Sequence, residues 1–136
     1  MQSDEYALFD QEQQKKVDKS TVRLLIDKLL IAYPKRAQQA RRVMEHIITS
    51  PYPTIVCGDF NDTPMSYTYH QFNKKLIDSY RNTSMGIGAT YAGRVPAGRI
   101  DYIFHSKELE SAGFTIQKET YSDHRAISTR IYRKEK

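Results

Sequence analysis

The sequence predicts an α+β fold in which one long helix precedes a mostly antiparallel sheet. Apolar residues recur at helical spacing from Val22 to Ile48, and an apolar strand pattern follows at 54–57. Three later runs are rich in β-branched and aromatic residues and are bounded by turn residues, which indicates consecutive strands. These runs are 99–105, 114–119 and 125–132. A chain of 136 residues can form one compact core, so we expect a single unit over 1–136.

The helical region should be a single buried stripe with one interruption. Residues 1–20 precede it, lack a sustained apolar period and are expected to form a mobile loop. Pro34 falls within the stripe, and proline removes a backbone donor, so the helix is expected to kink or restart there. The segment 50–53, with the sequence SPYP, should end the helix.

The strand at 54–57 reads TIVC and is expected to be fully buried, with Cys57 as core filler. A single cysteine excludes an intramolecular disulfide framework and a multi-cysteine zinc site. Residues 66–77 are predicted to include a short helix, which a loop containing Gly and Ser follows through 85–88.

The formal net charge of +5 favours anionic partners through long-range attraction. The basic residues of 35–42 are a candidate phosphate-facing patch, but a solvated helix face is the favoured interpretation. No apolar run approaches the roughly 20 residues that cross a bilayer, so we expect no membrane span in this chain.

Three polar clusters lie where apolar strands begin or end. They are 58–64 (GDFNDTP), 98–103 (GRIDYI) and 121–125 (YSDHR). Asp59 and Asn61 project the same way if the strand continues, which would direct a carboxylate and an amide at one point. Phosphate-ester hydrolysis requires an oriented water and stabilisation of charge on the phosphoryl oxygens, commonly by a divalent cation. Oxygen ligands favour Mg²⁺ or Mn²⁺, and no His/Cys spacing indicates zinc.

The order and spacing of these clusters resemble the late motifs of the endonuclease/exonuclease/phosphatase superfamily. The resemblance extends over about 51–136, and the segment 35–56 also looks like bacterial, Bacteroidetes-type members. It implies a DNase-I-like four-layer α/β/β/α sandwich, of which this chain would form the C-terminal half.

The resemblance implies roles for five side chains. Asp59 is similar to the aspartate that orients or deprotonates the attacking water, and Asn61 to the amide that steadies phosphate. His124 resembles the histidine that contacts the scissile phosphate, and Asp101 the carboxylate that fixes that imidazole. Asp123 resembles a metal-associated carboxylate.

Each motif alone has a structural explanation. The run GDFN can be an Asx turn, and an Asp-His pair can be a surface pair; the three clusters together favour catalysis. Arg99 can contact phosphate or pair with a local carboxylate. Three further histidines lie outside the motifs and are predicted to have packing or surface roles. They are His46, His70 and His105.

The resemblance further implies that the superfamily's early Asn and Glu motifs would precede Met1, including a Glu that is a principal metal ligand. We therefore expect weak metal binding and little or no hydrolysis by this chain alone. A half-sandwich would also expose an apolar sheet face, which predicts self-association. The residues assigned to that face are Ile55, Cys57, Ile100, Tyr102 and Phe104.

The leading functional hypothesis is a Mg²⁺-dependent phosphoesterase that hydrolyses a phosphomonoester or phosphodiester with an activated water. The alternative is a non-catalytic phosphate-binding or interaction module that retains the fold. Nucleic acid, a phospholipid headgroup and a small phosphate ester all stay open as the substrate, because no loop carries a decisive signature. The sequence does not indicate a localisation, since any targeting segment would lie upstream.

Overall fold

The computed structural model describes residues 19–93, 98–119 and 121–135. The helices are α1 (Lys19–Thr49), α2 (Tyr67–Asn73) and α3 (Ser79–Thr83). The strands are β1 (Ile55–Asp59), β2 (Ile77–Asp78), β3 (Asp101–His105), β4 (Leu109–Ile116) and β5 (Ile127–Arg133). The chain divides into two compact units, Met1–Arg36 and Ala37–Lys136, and the second contains every strand. The mobile loop predicted for 1–20 lies outside the described residues except for its last two, which belong to α1.

Helix α1 is continuous across Pro34, so of the two predicted outcomes the restart is wrong and the kink stays a prediction. One proline removes a single hydrogen bond from a ladder that spans 31 residues. The buried stripe is confirmed only in the later turns, where Ala40 and Met44 are buried and Ile47 packs against the core. The apolar residues that are exposed in the earlier turns include Leu24, Ile26, Leu30 and Ile31. No described helix is long and apolar enough to cross a membrane.

Within the described residues, the strands form two antiparallel sheets. One sheet has the order β1-β3-β2, and the other pairs β4 with β5. The predicted strands therefore exist, but β3 does not belong to the same sheet as β4 and β5. A register shift between Ala112 and Thr115 interrupts the β4–β5 pairing. Strand β2 and helix α3 were not predicted, because a strand of two residues shows no periodicity.

The core of the second unit is an aromatic cluster between α2 and one face of β3. Tyr69 and Phe72 of α2 meet Tyr102 and Phe104 of β3, and all four are buried. Tyr102 and Phe104 are two residues apart on the strand, so they point to the same face. Phe60 completes the cluster, with its ring centroid 4.8 Å from Phe72 and 5.0 Å from Tyr102. Each such side chain stabilises the fold by about 1.5–3 kcal/mol when it is removed from water.

The opposite face of the sheet is less covered than the sequence suggests. Ile55 is 49% exposed and Cys57 is also exposed, so the prediction of a fully buried β1 is wrong. The physical reason is that β1 lies at the edge of its sheet and has a neighbour on one side only. Partial burial nevertheless raises the pKa of the Cys57 thiol above its ordinary value, which disfavours the reactive thiolate.

The predicted exposed apolar face is also wrong for three of its five residues. Ile100, Tyr102 and Phe104 are buried, whereas Ile55 and Cys57 alone are exposed. The register explains why the five residues differ in exposure. Val56 pairs with Phe104 on the core face, whereas Cys57 pairs with Ile103 on the other face. Self-association stays a prediction, and the patch that would support it is smaller than expected.

A buried ion pair joins β2 to the segment before β3. Arg99 Nη1 lies 2.7 Å from Asp78 Oδ2, and both side chains are nearly inaccessible to solvent. The guanidinium carbon also lies 4.7 Å from the ring centroids of Tyr80 and Tyr102. Asp78 accepts hydrogen bonds from Tyr69 Oη at 2.8 Å and from the Tyr80 amide at 3.0 Å. Of its two candidate roles, Arg99 therefore has the local carboxylate partner.

We predict that Asp78→Ala lowers the free energy of unfolding by roughly 3–5 kcal/mol, because it leaves the Arg99 charge buried without its partner. Urea denaturation followed by circular dichroism measures this loss. The control Asp27→Ala, at an exposed helix position, should change stability by about 0.5 kcal/mol or less. The double variant Asp78→Ala/Arg99→Met should be more stable than Asp78→Ala, and a less stable double variant would contradict this account.

Candidate active site

The pairing of β1 with β3 places two carboxylates opposite each other at one end of the sheet. The register pairs Asp59, the last residue of β1, with Asp101, the first residue of β3. Opposed residues of an antiparallel pair have their side chains on the same face. Two predicted site residues separated by 42 positions in the chain are therefore neighbours.

His124 lies between these two carboxylates. Its Nδ1 is 3.0 Å from Asp101 Oδ2 and 3.2 Å from Asp101 Oδ1. Because a carboxylate only accepts, Nδ1 must carry the proton and donate it to Asp101. The other ring nitrogen, Nε2, lies 3.8 Å from Asp59 Oδ2, which is too long for a direct hydrogen bond. The hydrogen bond that the resemblance implies between Asp101 and His124 is thus present.

The carboxylates raise the pKa of His124 above its ordinary value. The largest cause is the hydrogen bond to Asp101, and the charges of Asp101, Asp59 and Asp123 act in the same direction. Two like charges opposite each other on a sheet repel, so a positive charge between them is favourable. The imidazolium of His124 supplies that charge when it is protonated.

The condition under which Asn61 was expected to project alongside Asp59, that the strand continues, is not met. Strand β1 ends at Asp59, and Asn61 has a φ of 51°, in the left-handed region. Its backbone amide donates to Asp59 Oδ1 at 2.8 Å, which closes an Asx turn. The Asx turn uses Oδ1 of Asp59 and leaves Oδ2 facing His124, so the turn is compatible with the site.

Asp123 stands apart from the group formed by Asp59, Asp101 and His124. Among the described residues, those three are the candidate metal ligands, with one ligand atom of each lying within 4.8 Å of the others. The Asp123 side chain is exposed and accepts a hydrogen bond from Ser122 Oγ at 3.0 Å. Its metal-associated role stays a prediction.

Two polar contacts fix the loops that carry these residues. The Tyr102 hydroxyl lies 2.8 Å from the carbonyl oxygens of Asp62 and Arg99, which lie in the loops after Asn61 and before Asp101. Burial raises the pKa of Tyr102, so its proton stays available to donate. This tether could not be predicted from the sequence, since a tyrosine in an apolar strand usually indicates packing alone.

A segment that sequence analysis missed joins the two sides of the site. Thr90 is fully buried, and Tyr91 forms an isolated β-bridge with His124. The Tyr91 ring lies edge-on to the imidazole, with 5.4 Å between the ring centroids. The local sequence ATYAG carries no titratable cluster or motif that would have marked it.

The remaining histidines lie outside the site. His105 is fully buried, with Nε2 3.0 Å from Ser111 Oγ and Nδ1 3.0 Å from the Ser106 carbonyl oxygen. His46 and His70 are exposed on helices. These positions agree with the packing and surface roles predicted for them.

An open pocket of about 610 Å³ adjoins the loops that follow Asn61 and precede Asp101. Its lining includes Thr63, Gly98 and Arg99, together with the side chains of the loop after α3. Met65, Met85 and Ile87 also line it and are at least 81% exposed. The lining thus combines buried residues such as Arg99 with solvated apolar side chains.

Comparison with known families gives one match. The sequence model of the Endonuclease/Exonuclease/phosphatase family matches residues 17–124, which include Asp59, Asp101 and His124. The chain belongs to this family. A comparison with curated proteins gives no match.

Solved structures share the DNase-I-like fold with the chain. A family member from Bacteroides vulgatus is 25% identical, with a TM-score of 0.66 over 75% of this chain and 45% of that one. A mannosyl-6-phosphatase from Bacteroides thetaiotaomicron VPI-5482 is 24% identical, with a TM-score of 0.62 over 71% and 45%. A functionally unknown protein from Enterococcus faecalis V583 is 21% identical, with a TM-score of 0.63 over 73% and 44%. The chain spans less than half the length of each.

We predict that Asp101→Asn lowers the pKa of His124 more than Asp59→Asn does. Asp101 supplies both a hydrogen bond and a charge, whereas Asp59 supplies a charge from 3.8 Å. The hydrogen-bonded pair of Asp101 and His124 should contribute its full stabilising free energy below the unfolded-state pKa of histidine, about 6.5. This contribution should be lost as the pH rises through the raised pKa of His124 in the folded state. NMR titration of the His124 ring measures both variants.

The control for this titration is Asp27→Asn, in the first turns of α1, which should leave the His124 pKa unchanged. An equal or larger decrease in the Asp59→Asn variant would show that the Asp101 hydrogen bond is not the main cause.

Proposed function

We propose that this chain carries the water-activating and phosphate-contacting part of a metal-dependent phosphoesterase site. Membership of the family supports phosphate-ester chemistry. The observation that carries the proposal is the arrangement of His124, whose imidazole is held by Asp101 on one side and faces Asp59 on the other. The metal dependence and the residue roles are our inference from that geometry.

His124 is assigned to the phosphate. With Nδ1 donating to Asp101, protonation places the second N–H at Nε2, directed to the side of Asp59. The raised pKa extends the pH range in which that proton is present. The imidazolium can then donate to a phosphoryl oxygen and stabilise the negative charge that develops during hydrolysis. Asp101 acts by holding the ring orientation and tautomer.

Asp59 is assigned to the nucleophilic water. Its Oδ2 lies 3.8 Å from His124 Nε2, on the side of the imidazole to which the phosphate is assigned, so a water that donates to Asp59 would lie beside the phosphorus. In the reaction the water oxygen bonds to phosphorus, the bond to the leaving oxygen breaks, and the water proton passes to Asp59. Asn61 fixes this carboxylate through its backbone amide, and we infer that its side-chain amide contacts the phosphate.

The donor chemistry of the group fits a hard divalent cation in part. Asp59 and Asp101 supply the carboxylate oxygens that Mg²⁺ or Mn²⁺ prefers, and Mg²⁺ commonly takes one or two carboxylates and completes its octahedron with water and substrate phosphate. Both Asp101 oxygens already lie near His124 Nδ1, so Asp59 is the more available ligand. When bound, such a cation neutralises charge on the phosphoryl oxygens. Because the group offers only two carboxylates, we expect it to bind the cation weakly.

We predict that any Mg²⁺-dependent hydrolysis of an aryl phosphomonoester or phosphodiester falls about 100-fold or more in His124→Ala and in Asp59→Asn. The rates should be measured with Mg²⁺, with Mn²⁺ and with a chelator. His70→Ala is the matched control, because this exposed histidine lies on α2 outside the site, and it should leave the rate unchanged.

The same protein samples separate the enzymatic proposal from the non-catalytic alternative. Inorganic phosphate that perturbs the His124 ring signals, without turnover of either ester under any metal condition, would favour the binding module for this chain. Turnover that survives His124→Ala would overturn the site assignment.

A further inference from the structure

Segment 90–92 connects the two parts of the chain that meet at the site. On one side lies the start of β3, which carries Asp101, and on the other lies the turn that carries His124. These parts are separated by 23 positions in sequence, and Asp101 lies on a regular strand while His124 lies on an irregular turn. A hydrogen bond of 3.0 Å between the two side chains therefore requires contacts that hold the turn against the strand.

The Thr90 side chain binds the strand side. Its Oγ1 accepts hydrogen bonds from the backbone amides of Ile100 and Asp101, each at 3.1 Å. Thr90 has no exposed surface, so water cannot replace this hydroxyl as the acceptor. The carbonyl oxygen of Ile100 accepts from the Phe60 amide at 2.8 Å. Ile100 is therefore also hydrogen-bonded to the residue that follows β1.

The Thr90 backbone binds the turn side. Its carbonyl oxygen accepts from the Arg125 amide at 2.8 Å, and the Ala92 amide donates to the Asp123 carbonyl oxygen at 2.7 Å. These two bonds flank His124, and they form the isolated bridge between Tyr91 and His124. The carbonyl of Gly98 accepts from the amides of both Thr90 and Tyr91, at 3.1 and 3.2 Å.

We propose that Thr90 is a positioning residue that sets the distance between the Asp101 carboxylate and the His124 imidazole. One residue holds the backbone of Asp101 with its side chain and the backbone beside His124 with its carbonyl group. The catalytic consequence of this positioning rests on the function proposed for His124, but the positioning itself does not.

Valine is the informative replacement. It has the shape of threonine without the hydroxyl, so Thr90→Val leaves the Ile100 and Asp101 amides without an acceptor while filling the same space. Thr90→Ser keeps the acceptor and removes only a methyl group. If Thr90 acts by packing alone, Thr90→Ser should disturb the structure, because it loses the contacts of the methyl group. If Thr90 positions the site, Thr90→Ser should retain the wild-type arrangement, because it keeps the hydroxyl acceptor.

The experiment is NMR of the 136-residue chain with a readout that does not need catalysis. The ring Nδ1–H proton of His124 should give a downfield signal, assigned by its loss in His124→Gln. Thr90→Val should abolish or broaden that signal and raise the hydrogen-exchange rates of the Ile100 and Asp101 amides about tenfold, which is the size expected from losing one hydrogen bond. Thr90→Ser should retain both properties. Thr83→Val is the control, because it removes a hydroxyl that donates to the Ser79 carbonyl oxygen in α3, away from the site.

A Thr90→Val protein that keeps the His124 signal while its strand amides exchange faster would overturn the proposal, because the hydroxyl would then hold the strand alone. Loss of the signal in Thr90→Ser would also overturn it. If Thr90→Val does not fold, Thr90→Cys takes its place, since cysteine is similar in volume to threonine and its sulfur is only a weak acceptor. A retained network in a chain whose His124 ring signals do not respond to inorganic phosphate would contradict the phosphate-contacting role proposed for His124 and leave the positioning role intact.

Discussion

Antiparallel pairing of β1 with β3 determines both the core and the site of the second unit. The same register that places Asp59 opposite Asp101 directs Tyr102 and Phe104 into the aromatic cluster. A slip of one residue would turn each side chain to the other face, so it would expose the two aromatic rings and separate the carboxylates. Phe60 joins these constraints, because it packs in the cluster and its amide donates to the Ile100 carbonyl oxygen. The hydrophobic effect thus enforces the geometry of a charged site.

The site is held by backbone bonds more than by its own side chains. Repulsion between opposed carboxylates opposes their approach, and the imidazole that relieves it comes from an irregular turn. That turn is fixed by the amide and carbonyl groups around Tyr91, while the loop edges are fixed by the Tyr102 hydroxyl. These groups restrict the position of His124 without any bound molecule, so the arrangement of the cluster is pre-organised.

Local patterns in the sequence were sufficient for some elements and insufficient for others. Strands β1 and β3 were located because their apolar and aromatic runs are bounded by turn residues, and their polar ends marked Asp59 and Asp101. The division into two sheets was missed because strand partners are distant in the chain. Cys57 was placed in the core because a run of apolar residues does not reveal that its strand lies at a sheet edge. Thr90 had no signal at all, since its importance arises from two bonds to another segment.

The residues that line the pocket differ in how much the fold depends on them. Met65, Met85 and Ile87, the rim residues, are so exposed that replacing them costs the fold little, whereas Arg99 is part of a buried ion pair. Drift in a lineage can therefore sample new rim side chains without crossing a stability threshold. Changes at Asp78 or Arg99 would instead leave a buried charge without its partner. Substitutions at the rim can therefore alter the shape of the pocket while the geometry of Asp59, Asp101 and His124 is kept.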